Sequence, residues 1–387
     1  MQHAGPSLNG RKPCPRAVIR SGMSAKSPTI EQLRRYAVTR SLFAPTTLAR
    51  AVAKIGFVQA DPIRAPARAQ DLILRQRVKG YRSGDLERRY PRLGLEEGFF
   101  VNYGFLSREA YGWMHPRVVS RTRVAWTAKN KRRADQLLAF VDQRGAVHPR
   151  EVDALFDHGR VENYWGGMSK ATTHLLQAMH YRGMLRISRR DDGIRIYAVH
   201  AHPSAAIDAG ERDRRLDALL DLAVSTYAPL PSATLVWLVN RLRWGAPQWA
   251  GQLKAAVKRA RERLAHARID GVDWYWPASE RPSSPRHRTD ERVRLLAPFD
   301  PIVWDRKRFE LFWGWSYRFE AYTPAKKRKL GYYALPMLWR DQVIGWGNAS
   351  VQDGRLSWQL GFERGRPQEA AFARALDDEL ASLQAFL

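Results

Sequence analysis

The chain has 387 residues, 44% of them apolar, enough to fill about two to four hydrophobic cores rather than one. Lys and Arg total 65 against 38 Asp and Glu, a formal net charge of +27, and that excess points to a polyanionic partner, nucleic acid first. A single cysteine, Cys14, excludes an internal disulfide, a cysteine-based zinc site and a four-thiolate iron–sulfur cluster, and fits a reducing compartment.

No run approaches the roughly 20 apolar residues of a membrane span, and the N-terminus lacks the apolar core of a signal peptide, so a cytoplasmic protein is expected. An anionic lipid surface is a poorer partner, because no basic amphipathic helix with a purely apolar opposite face stands out. Residues 1–28 carry Arg11, Lys12, Arg16, Arg20 and Lys26 without an acid, among Gly, Pro and Ser, and read as a disordered basic tail in which Met23 is an alternative start.

From Thr29, Leu33, Tyr36, Ala37 and Leu42 recur at helical spacing, and a second helix is predicted from Thr46 to Lys54, with Gly56 as its C-cap. The run Phe57-Val58-Gln59-Ala60-Asp61 then precedes Pro62, which pushes the preceding residue toward extended backbone. As a strand it puts Phe57, Gln59 and Asp61 on one face. Further on, Pro149–Phe156 and Ser169–Tyr181 read as helices, and Leu185–Ser188 faces Ile194–Tyr197 across an Asp191-Asp192-Gly193 turn. Two helices followed by a hairpin wing make a winged helix. The pattern recurs with helices at Ser232–Leu242 and Gln248–Arg268, followed by Ile269–Val272 and the strand Trp274-Tyr275-Trp276.

Glu280–Arg286 lies in a linker rich in Pro, Ser and Arg, placed at 281–290, and strands are predicted beyond it at Val293–Leu296, Tyr317–Tyr322, Gly331–Leu338, Gln342–Gly347 and Leu356–Leu360. Gln368–Phe386 closes the chain as an amphipathic helix, with Phe372, Leu376, Leu380 and Leu383 on its apolar face. The expected fold class is α+β: tandem winged-helix domains at 29–130, 131–205 and 206–280, then a β-rich domain with a terminal helix at 291–387.

Three stretches resemble the winged-helix crosslink-repair DNA glycosylases, the YcaQ/AlkZ-like family. They are Val58-Gln59-Ala60-Asp61, the run from Leu295 through Pro298-Phe299-Asp300-Pro301 to Arg308, and the run from Tyr322-Thr323-Pro324 through Gly331-Tyr332-Tyr333 to Pro336. The first is similar to the family's Gln-x-Gln or Gln-x-Asp signature, nearer the branch with Asp. The resemblance implies winged helices around a DNA-binding cleft and removal of N7-alkylated or crosslinked purines without a cofactor, with Gln59 and Asp61 as the catalytic pair. Where the family carries a Glu-Tyr-Trp-Ala-His-like stretch, this chain reads Glu97-Gly98-Phe99-Phe100-Val101-Asn102-Tyr103. Near Gln342, Gly345-Trp346-Gly347-Asn348 replaces the family's Gly-Arg and acid.

An N7-alkylated purine already carries a positive charge and departs as a neutral molecule, so what remains is to stabilise an oxocarbenium-like sugar and deliver a water. A carboxylate (Asp61) and an amide (Gln59) suit that work. Read without the resemblance, Asp61 is an Asp-Pro turn or helix N-cap and Gln59 an ordinary surface residue. For the DNA backbone, the candidates are Arg64, Arg68 and Arg75 beyond Asp61, and Arg189 and Arg190 with Arg186 and Arg195 on the wing. The loop Lys326-Lys327-Arg328-Lys329 completes the set, its bland alternative being a solvated hairpin tip. His200 and His202 are spaced as a metal pair but read as a surface loop, and Asp300 and Asp305 read as an arginine partner or a cap, so no metal is expected. The expected partner is double-stranded DNA bound by a monomer in an open cleft. A non-enzymatic winged-helix regulator is the alternative; a nuclease would need clustered acids that are not found.

Overall fold

Thr29 and Gln32 close a capping box that starts α1 (Ile30–Ser41), and Thr47 caps α2 (Leu48–Ile55), which ends at Gly56 with φ of 86°. This is a computed structural model; it describes residues 27–118, 126–156, 159–162, 168–201, 207–352 and 355–387. Residues 1–26 of the basic tail, with Cys14 and Met23, and also His202, lie outside the described residues.

After Gly56 the chain enters β1 (Phe57–Gln59), then α3 (Ala69–Arg75), α4 (Asp85–Arg89), β2 (Leu95–Phe99), β3 (Tyr103–Ser107) and α5 (Arg108–Trp113). β3 lies in the middle of the antiparallel sheet β1-β3-β2, with Gln59 opposite Gly104. A Cβ at Gly104 would sit 2.3 Å from the Val58 carbonyl oxygen, so glycine lets the two strands approach. The strand is shorter than expected. β1 ends at Gln59, so Asp61 lies beyond it, in a turn that its own carboxylate closes by accepting from the Ile63 amide.

The second succession is α6 (Ala128–Arg144), α7 (Pro149–Leu155), a short ribbon of β4 (Arg160–Glu162) and β5 (Met168–Lys170), α8 (Ala171–Tyr181), then the wing β6 (Leu185–Asp191) and β7 (Ile194–Val199). The wing turns on Asp192 and Gly193, both at positive φ (49° and 82°), as a two-residue hairpin with right-handed strand twist requires. The third comprises α9 (Ala209–Tyr227), β8 (Leu230–Pro231), α10 (Ser232–Gly245), α11 (Leu253–Arg263), β9 (Ala265–Ile269) and β10 (Val272–Trp276). The helix expected through Arg268 stops at Arg263, because Leu264 turns extended and Ala265–Ile269 pairs with the aromatic strand. Its first turn, Pro247–Gln252, is 3₁₀.

The remaining chain forms the sheet β11 (Val293–Leu295), β12 (Leu335–Trp339), β13 (Gln342–Gln352) and β14 (Arg355–Phe362), in that order, with α12 (Arg306–Trp313) after β11 and α13 (Ala370–Phe386) at the end. Tyr317–Tyr322 is not a strand. Tyr317 is buried and its hydroxyl donates to the Ala334 carbonyl at 2.7 Å, so this stretch packs as an irregular loop, and the strand predicted from Gly331 begins only at Leu335.

Among the described residues two apolar cores form, and each joins the C-terminal sheet region to earlier elements. The junction is also polar: Arg77 and Asp300, both fully buried, pair through two hydrogen bonds of 2.8 and 2.9 Å. Asp305 caps α12 through the Lys307 and Arg308 amides. Arg308, also buried, donates to the carbonyls of Tyr227, Pro229, Pro301 and Ile302. The run from Leu295 to Arg308 therefore ties the C-terminal region to the winged-helix part.

Candidate active site and DNA interface

The site begins where β1 ends. The Ala60 amide donates to the Tyr103 carbonyl at 2.9 Å, the last bond of the β1–β3 ladder. Asp61 then accepts from the Ile63 amide at 2.9 Å through Oδ1, and its own amide donates to Gln70 Oε1 at 3.3 Å. The Asp-Pro turn and the candidate carboxylate are thus one feature: Oδ1 builds the turn, while Oδ2 has no partner among the described residues. Burial pushes the Asp61 carboxyl above its ordinary value, against the lowering effect of the Ile63 amide.

Gln59 is nearly buried, and its Oε1 accepts from Asn102 Nδ2 at 2.8 Å. Asn102 Oδ1 accepts from Arg241 of α10, whose Nε also donates to the Val101 carbonyl at 2.6 Å. Neither Asn102 nor Arg241 is among the site candidates that the sequence offers. Asn102 lies in the Glu97–Tyr103 stretch that departs from the family pattern, which was a signal; Arg241 lies 139 residues further on and had none.

Tyr322 and Tyr333 come near enough to Asp61 to feel its charge. Burial, then the Asp61 carboxylate, raises the hydroxyl pKa of both, placing the two rings within electrostatic reach of Asp61. These tyrosines bracket the loop Lys326–Lys329. Lys326, Lys327 and Lys329 are exposed and have no carboxylate partner among the described residues. Arg328 lies 5.0 Å over the Tyr332 ring and donates to the Thr323 carbonyl at 2.8 Å. Buried Glu320 pins the loop, accepting from the amides of Lys329 and Leu330 at 2.8 and 2.7 Å. Beside it, Arg64, Tyr332, Tyr333, Asn348 and Trp358 line a groove of about 700 Å³, into which Arg64 extends exposed and without an ion-pair partner among the described residues. A larger cavity, about 920 Å³, is lined by other residues, including Glu96, Arg108, Tyr111, His115 and Glu211, and shares none with this groove. Its size carries no functional weight against the chemistry beside Asp61.

Other arginines expected at DNA are engaged internally. Arg75 is nearly buried and grips Glu379 with bonds of 2.8 and 3.0 Å, linking α3 to α13. Arg68 pairs with Glu87. On the wing, Arg190 pairs with Glu97, Arg195 reaches the same carboxylate at 3.2 Å, and Arg186 holds Glu96 at 2.8 Å. Arg189 is exposed but forked onto Asp191, with both bonds at 3.0 Å. Burial alone would raise Glu97, but the hydrogen bond and charge of Arg190, with Arg195 and the Tyr103 hydroxyl, hold it down to about 2.

Among the described residues no group of three or more His, Cys, Asp or Glu is placed to hold a metal, and none of their helices is long and apolar enough to cross a membrane. His200 meets the His115 ring edge-on at 4.5 Å and the Tyr111 ring at a tilt at 5.2 Å. The fold is similar to that of Streptomyces sahachiroi DNA glycosylase AlkZ, with a TM-score of 0.61 and 14% identity over 93% of this chain and 97% of that one. The family described as DNA glycosylase AlkZ-like matches residues 52–386, and the chain belongs to that family of DNA glycosylases.

Proposed function

We propose that this DNA glycosylase hydrolyses the N-glycosidic bond of N7-alkylated purines, interstrand crosslinks included, with Asp61 and Gln59 as its catalytic residues. One observation carries the assignment: Asp61 keeps one carboxylate oxygen unengaged and lies within electrostatic reach of both tyrosines that bracket the unpaired Lys326–Lys329 loop. A phosphate held by Lys326, Lys327, Lys329 and Arg64, with Arg328 stiffening the loop against Tyr332, brings a nucleotide to that oxygen.

The reaction breaks the bond between the sugar C1′ and the base nitrogen, and its electron pair neutralises the cationic purine. Asp61 stabilises the positive charge developing on the sugar and accepts a proton from water, whose oxygen bonds to C1′. Gln59 orients that water. The products are the free alkylated base and an abasic site, with no cofactor involved. Asp61 lies beside an open groove, so a lesion tethered to the opposite strand reaches it without full extrusion. The enzyme works as a monomer on asymmetric lesions in the cytoplasm, at the nucleoid.

The test uses duplex DNA carrying one nitrogen-mustard crosslink between guanine N7 atoms, scored for abasic sites in the presence of chelator. Release that persists with chelator and disappears in Asp61→Asn supports the proposal. No release from crosslinked or singly N7-alkylated DNA overturns the substrate assignment, and full activity in both Asp61→Asn and Gln59→Ala overturns the catalytic one.

A further inference from the structure

A glutamine amide has a donor end and an acceptor end, and which one faces the substrate decides what it can do. In this structure the choice is made outside Gln59. The Arg241 guanidinium only donates. It donates to Asn102 Oδ1, which leaves Asn102 only its Nδ2 to offer Gln59, and Nδ2 donates to Gln59 Oε1 at 2.8 Å. Gln59 Nε2 is left without an acceptor among the described residues, and it is not one of the buried side-chain atoms sealed away without a partner.

We propose that Arg241 and Asn102 are positioning residues that fix the orientation of the Gln59 amide, so that it presents an N–H donor, and not its carbonyl oxygen, to the reacting water. The inference rests on Gln59 belonging to the glycosylase site. Its chemical consequence is directional. A water that accepts from Nε2 has one lone pair held and the other free for C1′, with an O–H toward the Asp61 carboxylate; a carbonyl oxygen in the same place could only accept the water's other O–H and would leave neither lone pair held.

The relay is braced from a distance. Arg241 lies 5.2 Å over the Trp237 ring, Trp237 packs on Trp304 at 4.9 Å, and Trp304 stacks on Tyr227 at 4.5 Å. Trp304 comes from the Leu295–Arg308 run, so the C-terminal region also bears on the Gln59 amide.

Two substitutions at one position separate this role from a structural one. Asn102→Asp is nearly isosteric, still accepts from Arg241, and accepts from Gln59 Nε2, which turns the Gln59 carbonyl into the cleft. Asn102→Ala removes more atoms but leaves the amide free to take either orientation. The milder change is therefore expected to be the more harmful. Asn102→Asp lowers the single-turnover rate of N7-methylguanine release about a hundredfold, the scale of losing one positioned donor, with duplex Kd unchanged, and Asn102→Ala lowers it less. In a Gln59→Ala background, Asn102→Asp changes the rate by less than about twofold, because its effect passes through Gln59. A larger loss in Asn102→Ala than in Asn102→Asp, or an equal loss in both Gln59 backgrounds, overturns the proposal.

Hydrogen exchange of the ¹⁵N-labelled Gln59 side-chain amide, assigned by its disappearance in Gln59→Ala, reads the orientation without catalysis. It is expected to be fast in the native protein and slowed roughly tenfold or more in Asn102→Asp. A native amide already protected overturns the orientation. A fast-exchanging native amide in a protein that releases no alkylated base leaves the orientation standing and removes the glycosylase role of Gln59.

Discussion

The wing at Leu185–Val199 and the loop at Tyr322–Tyr333 each carry four basic residues, the wing with Asp191 and Asp192 beside them, and the fold uses them in opposite ways. On the wing, Arg186, Arg190 and Arg195 turn inward to neutralise Glu96 and Glu97 of β2, and exposed Arg189 is forked onto Asp191. In the loop, Lys326, Lys327 and Lys329 face solvent, and the nearby buried acid, Glu320, is occupied by backbone amides. Positive charge locates a polyanion site only after the internal carboxylates have taken their share. Arginine, planar and multidentate, serves the buried pairs, while the exposed lysines, without a carboxylate among the described residues, are the phosphate contacts we propose.

The largest expected effect breaks the wing side of this contrast. Glu97→Gln leaves Arg190 and Arg195 without their buried counter-charge and should destabilise the fold by about 3–5 kcal/mol in urea unfolding. Glu97 is held at about 2 against an ordinary 4.5, so its contribution is present above pH 4.5 and is lost as pH falls toward 2. The difference between native protein and Glu97→Gln should shrink over that window.

Replacing Lys326, Lys327 and Lys329 together with Ala tests the other side. Stability should stay within about 0.5 kcal/mol, while the slope of log affinity against log salt drops by about 2–3. An unchanged slope would remove the loop from the interface. The smallest effect is Arg189→Ala, expected to move stability by less than about 0.5 kcal/mol and leave the salt slope alone, because its exposed pair with Asp191 is worth little. A clear drop in slope there would restore the wing as a DNA contact.

The same contrast explains what was legible in the sequence. Local signals carry: the Thr29 start, the Gly56 stop, the Asp192-Gly193 turn and the closing helix all stand, and Asp300 and Asp305 are the arginine partner and the cap their setting suggests. Strands β2 and β3 did not. β2 is buried on both faces and carries Glu96 and Glu97 inside, so it has neither alternation nor an apolar run. Tyr317–Tyr322 has strand-like composition but finds its partners through side chains. At the candidate site, Gln59 and Asp61 are visible through a four-residue resemblance, whereas Asn102 and Arg241 meet only because the turn between β2 and β3 comes up against α10 in the fold.

We propose Asp61 as the reacting carboxylate. The most direct test is the pH dependence of single-turnover N7-methylguanine release by the native protein and by Asp61→Asn. Burial raises the Asp61 pKa, so the native rate should fall with decreasing pH through a midpoint above the ordinary carboxylate value of about 3.9. Asn keeps the bond to the Ile63 amide and removes a buried charge, so the variant should fold at least as well and bind DNA no worse. It should lose about a thousandfold in rate. An Asp61→Asn protein that releases the base at the native rate, with the same acid limb, would rule out Asp61 as that carboxylate.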